Sequence, residues 1–209
     1  MSKINKSFVA RVEALRAHRL AATSKDIGAV LSTAGNSVFQ FTESVNAKID
    51  ALKIDTTSIF AIDRNPKVIK RFIQFIHAVN AKDYKQIDCT TATIVYALHI
   101  AGDNPLTVDA LHYIGAGLKS GKVSPETRGV SRAACNKLFG RVGLSTIPTQ
   151  ASRTVGKNGF LQLIGATMGE PGKVNQAVRL NAAHPLIVAF FDCMNAATEG
   201  QLDEVVGAK

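Results

Sequence analysis

Residues 65–79 read NPKVIKRFIQFIHAV, and the placing of their apolar side chains decides the fold class. Val68, Ile69, Phe72, Ile73, Ile76 and Val79 recur at the three- and four-residue spacing that lines one face of an α-helix. Asn65 stands where an N-cap side chain can accept from the first turn. Pro66 follows at the helical position where a missing N–H costs nothing. The spacing predicts a helix with the six apolar side chains inward and Lys67, Lys70 and Arg71 on its solvent side.

The same period continues in both directions. Ile4, Phe8, Val12 and Leu15 make one stripe, and Val38, Phe41, Val45, Ile49 and Leu52 make another. TTATIVYALHIAG (residues 90–102) reads as a buried helix closed by Gly102. The segment LTVDALHYIGAGLKSG (106–121) begins a further helix with Thr107 as its cap. Ser124-Pro125-Glu126 has the order of cap, first-turn proline and first-turn acid, which predicts a helix from there to Gly143. LSTIPTQASRTVGKNG (144–159) is poor in core residues and reads as a long basic loop with one turn of helix at most. FLQLIGATMG, GKVNQAVRLNAAH and PLIVAFFDCMNAATEG (160–169, 172–184 and 185–200) read as three closing helices. No segment alternates as a half-buried strand does. The expectation is an all-α, compact bundle of roughly 8–10 helices. It is taken as a single helical domain over 1–209, with two lobes, 1–85 and 86–209, meeting near residues 80–90.

Composition narrows the function classes. The 209 residues are 46% hydrophobic and 20% charged, which suits a chain with a sizeable core. The net charge of +9 is high for that size and points to anionic partners. Residues 111–179 hold ten Lys/Arg against Glu126 and Glu170, while the end of the chain (Asp192, Glu199, Asp203, Glu204) is acidic. Lys3, Lys6, Arg11, Arg16 and Arg19 are read either as a second phosphate-contacting arm or as a soluble exterior. The acidic end is read as docking on a partner or on the chain's own basic groove. Three cysteines, Cys89, Cys135 and Cys193, form no CxxC and no metal-like spacing, and are expected as buried free thiols in a reducing, cytoplasmic setting. The N-terminus lacks the apolar core of a signal peptide, and the run PLIVAFF is too short to span a membrane.

Catalytic signatures are absent. In GAGLKSGKVS the glycines enclose too few residues for a phosphate loop, and Val123 occupies the position that needs a hydroxyl; a helix C-terminus is the plainer reading. The five histidines (His18, His77, His99, His112, His184) make no HxH or HxxxH. Cys135 sits among cations that lower a thiol pKa, but its small apolar neighbours suit a buried helix face. No cofactor, no metal and no enzyme activity is expected.

The basic segment carries the functional expectation. Solvated helices mix signs, so that residues four apart attract; residues 111–179 do not mix signs. Lys119, Lys122, Arg128, Arg132, Lys137, Arg141, Arg153, Lys157 and Lys173 are the candidate phosphate contacts. Phe160 is a candidate for base stacking, with a core anchor as its alternative. On a helix spanning 124–143, Arg128 and Arg132 share one face while Lys137 and Arg141 lie nearly opposite. Such wrapped charge fits a groove following a flexible single strand better than one recognition helix in a major groove. The chain also lacks compact helix–turn–helix spacing.

In SPETRGVSRAACNKLFGRVG (124–143) and ASRTVGKNGF (151–160), in its size and in its helicity, the chain resembles the small basic helical single-stranded-DNA-binding transcription cofactors of large lytic phages. That resemblance implies coating of unwound DNA, recruitment of an RNA polymerase and a homo-oligomer in the host cytoplasm. The function expected is therefore that of a nucleic-acid-binding accessory protein, with single-stranded DNA (or RNA) preferred over duplex. The alternative is a helical structural or interaction protein that self-assembles or meets an acidic protein.

Overall fold

The structure, a computed structural model, describes residues 5–21, 41–61, 63–117, 122–140, 153–155, 159–168 and 177–197. It is mostly helical, of the all-α class. The principal elements are α1 (Lys6–Ala21), α2 (Glu43–Ala51), α3 (Pro66–Ala81), a 3₁₀ turn (Tyr84–Gln86), α4 (Cys89–Ala101), β1 (Leu106–Thr107) and α5 (Val108–Ala116). They continue with α6 (Arg132–Phe139), α7 (Phe160–Leu163), β2 (Thr167–Met168), β3 (Ala177–Arg179) and α8 (Pro185–Ala197). A helical turn at 153–155 lies between α6 and α7.

Helix α3 is the axle. The Asn65 side chain accepts from the Lys67 N–H at 2.9 Å, and Lys82 ends the helix in a left-handed conformation at φ 54°. Its six expected core residues are all buried, and so are Phe75 and Ala78, because the helix is covered on several sides by α2, α7, α8 and the 3₁₀ turn. Rings carry the packing outward: Phe72 meets Phe60 (6.2 Å), Phe60 meets Phe41 (5.6 Å), and Phe41 stacks on Phe8 of α1 (5.7 Å). On the other side Phe75 meets Phe160 at 4.7 Å and Phe190 at 5.0 Å. The buried residues form one cluster reaching from Leu15 to Met194.

Arg71 departs from its expected place. It is 7% exposed, with Nε 3.4 Å from Asp88 Oδ2 and Nη1 donating to Thr154 Oγ1. Asp88 also caps α4, accepting from Thr91 N–H at 3.0 Å and from its hydroxyl at 2.6 Å. This buried polar circuit fastens the 153–155 turn to α3 and α4. The physical reason is tertiary: the counter-charge lies on another element, where helical spacing gives no sign of it.

Two further corrections concern secondary structure. Residues 177–179, expected within a helix, are instead the middle strand of a small antiparallel sheet of order β1-β3-β2. Leu106 pairs with Val178, and Thr167 with Arg179. Strands of two or three residues are too short to show alternation. The helix expected from Ser124 begins only at Arg132, with the Ser131 hydroxyl accepting from Ala134 N–H at 3.3 Å, and it stops at Gly140 rather than Gly143. Upstream, Arg128 and Gly129 take positive φ (52° and 82°), a conformation no helix admits.

Candidate nucleic-acid interface

Helix α6 sits on α4 and α5, and those two also pack on each other. Cys135 and Leu138 point into the core, and Phe139 lies edge-on to Tyr84 and Tyr96 at 5.9 and 5.5 Å. Arg132, Ala133 and Lys137 are exposed, and Asn136 is half-buried. At about 100° per residue these four occupy a single arc of about 140°. Between this face and α5 runs an open groove of about 580 Å³, lined by Tyr113, Arg132, Ala133, Asn136 and Lys137. Its lining includes two cations, an amide and a phenol ring, and among the described residues no carboxylate.

Gly117 makes room for the Arg132 guanidinium. It caps α5 at φ +70°, its N–H donating to Tyr113 O at 2.6 Å, and the carbon and nitrogens of the Arg132 guanidinium lie 2.7–3.0 Å from where a Cβ would stand. The guanidinium thus rests at the C-terminal, negative end of the α5 dipole, which favours a cation there. GAGLKSG does supply a helix C-terminus at this glycine, as its rejection as a phosphate loop implied.

The remaining expected residues divide. Lys122 is exposed in the segment leading to α6. Arg128 is exposed too but is paired with Glu126 at 2.7 Å, so its charge is partly compensated. Arg153 lies half-buried and close enough to Arg71 for its charge to help lower that residue's pKa, after burial, the larger cause. Phe160 is 0% exposed and packed on Phe75; it is the core anchor of the alternative reading and does not stack, because no base can reach the ring. Lys119, Arg141, Lys157 and Lys173 lie outside the described residues, as does the acidic end from 198 onward.

The expectation of wrapped charge also changes, since Arg128 does not belong to α6. What remains is one coherent polar face beginning with Arg132. Asn136 is not among the residues expected from sequence; it stands one turn after Arg132, and its four-residue spacing from that cation was the available signal. At the N-terminus Arg11 is committed to Asp50 (2.6 Å), Asn46 (2.7 Å) and Thr56 (2.9 Å), and Arg16 to Glu13 (2.7 Å), so these two hold α1 together and to α2 rather than forming an arm. A hydrogen bond from Ser7, then the Arg11 contacts, hold the Asp50 carboxyl below its usual range.

No family model, curated protein or solved structure matches the chain.

Features that serve chemistry elsewhere are muted. Among the described residues no group of His, Cys, Asp and Glu could hold a metal, and no helix is long and apolar enough to cross a membrane. All three cysteines are free; burial pushes the Cys135 thiol up to about 12, so its neighbouring cations do not activate it. A second concavity of about 490 Å³, between α2, α3 and α8, mixes Lys48 and Lys82 with Asp192 and a largely apolar lining. It lacks the single sign of charge that marks the α5–α6 groove.

Proposed function

We propose that this chain is a nucleic-acid-binding accessory protein that acts through the α5–α6 groove and performs no reaction on its ligand. One observation supports the reading above the others: Arg132 and Lys137 flank Asn136 and Tyr113 in an open groove with no carboxylate among its described lining residues. Guanidinium and ammonium groups suit phosphate oxygens, the amide suits a base edge, and the phenol ring offers a stacking surface.

The binding is tested by fluorescence anisotropy with labelled single-stranded DNA, duplex DNA and RNA at 50 and 200 mM salt. With Lys122, Arg132 and Lys137 each neutralising one phosphate, the log–log slope is about −2 for a single strand and about −3 for a duplex. Affinity should then fall by roughly 20- to 40-fold across that salt range. Arg132→Glu combined with Lys137→Glu should flatten the slope by about 1.4–1.8. A salt response that is flat for every oligonucleotide would overturn the reading and favour an interaction protein with an acidic polypeptide partner.

A further inference from the structure

We infer that the nucleic acid is double-stranded DNA and that α6 is the element that enters its major groove. This rests on the binding proposed above and names its ligand. Three observations carry it.

The first is architecture. Helices α4, α5 and α6 pack pairwise into a three-helix unit, and the last of them turns one face outward. β1 runs directly into α5, and it pairs with β3, which pairs in turn with β2. A helix supported from behind by two others, presenting its first residues outward, is the docking geometry by which a helix–turn–helix unit reads DNA. The antiparallel ribbon adds a second surface, on which Arg179 is exposed while Val178 faces the core. Residues 117–131 connect α5 to α6 where a compact unit has a short turn, which is why the sequence does not advertise the arrangement.

The second is dimension and chemistry. A helix with its side chains is about 10–12 Å across, which fits the roughly 12 Å width of a B-DNA major groove, and the eight residues of α6 lay about 12 Å of outward face along it. The outward positions, in order, are Arg132, Ala133, Asn136 and Lys137. An Arg fork matches the O6 and N7 acceptors of guanine, an Asn amide matches the N6 and N7 of adenine, and an Ala methyl suits the thymine methyl. Lys137 at the far edge suits a phosphate.

The third is what the site lacks for a single strand. Single-strand channels present successive rings to successive bases. Phe139 of α6 is packed edge-on into Tyr84 and Tyr96, and Phe160, the ring expected to stack, is fully buried. Among the described residues of the groove, Tyr113 is the ring that lines it.

The experiment selects preferred sites from a random duplex library with the full chain, then measures anisotropy on the selected duplex, a scrambled duplex, the same strand alone and the RNA duplex, for wild type and two variants. Asn136 is half-buried at the groove wall, Ala is the better helix former there, and far-UV circular dichroism verifies the fold of Asn136→Ala. The selected duplex should bind more tightly than the scrambled one. Asn136→Ala should cut that discrimination by about 10- to 100-fold while leaving the salt slope unchanged. Lys137→Ala should weaken all duplexes alike and reduce the slope by about 0.9. Duplex RNA, whose major groove is too deep and narrow for a helix, should bind as weakly as scrambled DNA. If the single strand binds more tightly than any duplex at matched salt, or Asn136→Ala leaves discrimination intact, the duplex inference falls while nucleic-acid binding stands. If no nucleic acid binds in a salt-dependent way, both fall together.

Discussion

Replacing Asp88 with Asn is the most informative single change available in the core. The substituted side chain would keep an oxygen for the Thr91 N–H, so the cap of α4 survives. Its amide NH₂, however, would face two donors, the Arg71 Nε–H at 3.4 Å and the Thr91 hydroxyl at 2.6 Å. Arg71, 8% exposed at its side chain, would lose the carboxylate that faces its Nε. Removing one partner of a fully buried pair costs about 3–5 kcal/mol. Asp88 retains 20% side-chain exposure and its Nε contact is long, which places this pair lower, at about 2–3 kcal/mol.

Arg71→Met should cost less, about 1–2 kcal/mol, since the abandoned carboxylate has water to turn to and a Met side chain fills most of the space. In the Arg71→Met/Asp88→Asn double variant neither charge is stranded. The loss should therefore fall short of the sum of the single losses by about 1–2 kcal/mol. Urea unfolding of the four proteins gives the cycle directly from the midpoints, provided the m-values agree. By heat, Asp88→Asn should lower Tm by roughly 4–12 °C in a chain of this size. Single losses that add to within about 0.5 kcal/mol of the double would mean that Arg71 and Asp88 are not coupled, and the buried circuit would be refuted.

Three other outcomes are expected. Gly117→Ala should destabilise the chain by about 1–2 kcal/mol, since its φ of +70° is unfavourable for an L side chain, and should weaken nucleic-acid binding as well because the new methyl displaces the Arg132 guanidinium; urea midpoints and anisotropy check the two effects separately. In native protein at pH 8, Ellman's reagent should label Cys89, which is half-buried, well before the fully buried Cys135, and all three thiols should react in denaturant. Burial lowers the pKa of both His112 and His184, so the unfolded chain binds more protons near pH 6, and stability present above about pH 6.5 is lost as the pH falls through the folded-state values. His184 Nδ1 accepts from Leu186 N–H at 3.2 Å, so His184→Asn, which keeps an acceptor without titrating, should flatten part of that loss in urea midpoints measured from pH 8 to 5.

How much of the fold is legible in the sequence depends on where the deciding interaction lies along the chain. Local signals read true: Asn65-Pro66 opens α3, Thr107 caps α5 and Gly102 closes α4, each through contacts within a few residues. The error at Ser124 is also local, and avoidable. Gly129 stands in the middle of the helix expected there, and glycine costs about 1 kcal/mol in such a position relative to Ala; the chain instead uses it beside Arg128 in a turn of positive φ. Arg71 and the short strands belong to another category. Their partners are Asp88 and Thr154 for the one and, for the strands, residues 10–12 positions away between β2 and β3 and about 70 away between β1 and β3; tertiary structure supplies them, and the periodicity of neither segment shows them.

The site shows how one boundary controls a functional reading. The angle between Arg132 and Lys137 is the same on a long helix or a short one. What differs is the company they keep. On a helix from 124 to 143, Arg128 and Arg141 extend the charge around the cylinder, and the sensible ligand is a flexible polyanion that can wrap it. With α6 confined to Arg132–Phe139, Arg128 turns away to Glu126, and Cys135 and Leu138 anchor the opposite side in the core. Charge is then presented on one rigid face, with an amide between the two cations. A rigid face places its donors at fixed spacings, and fixed spacings select a ligand whose acceptors are themselves held in a regular array. A duplex groove has that regularity and a bare strand does not, so the same side chains point to a different form of nucleic acid once the ends of their helix are known.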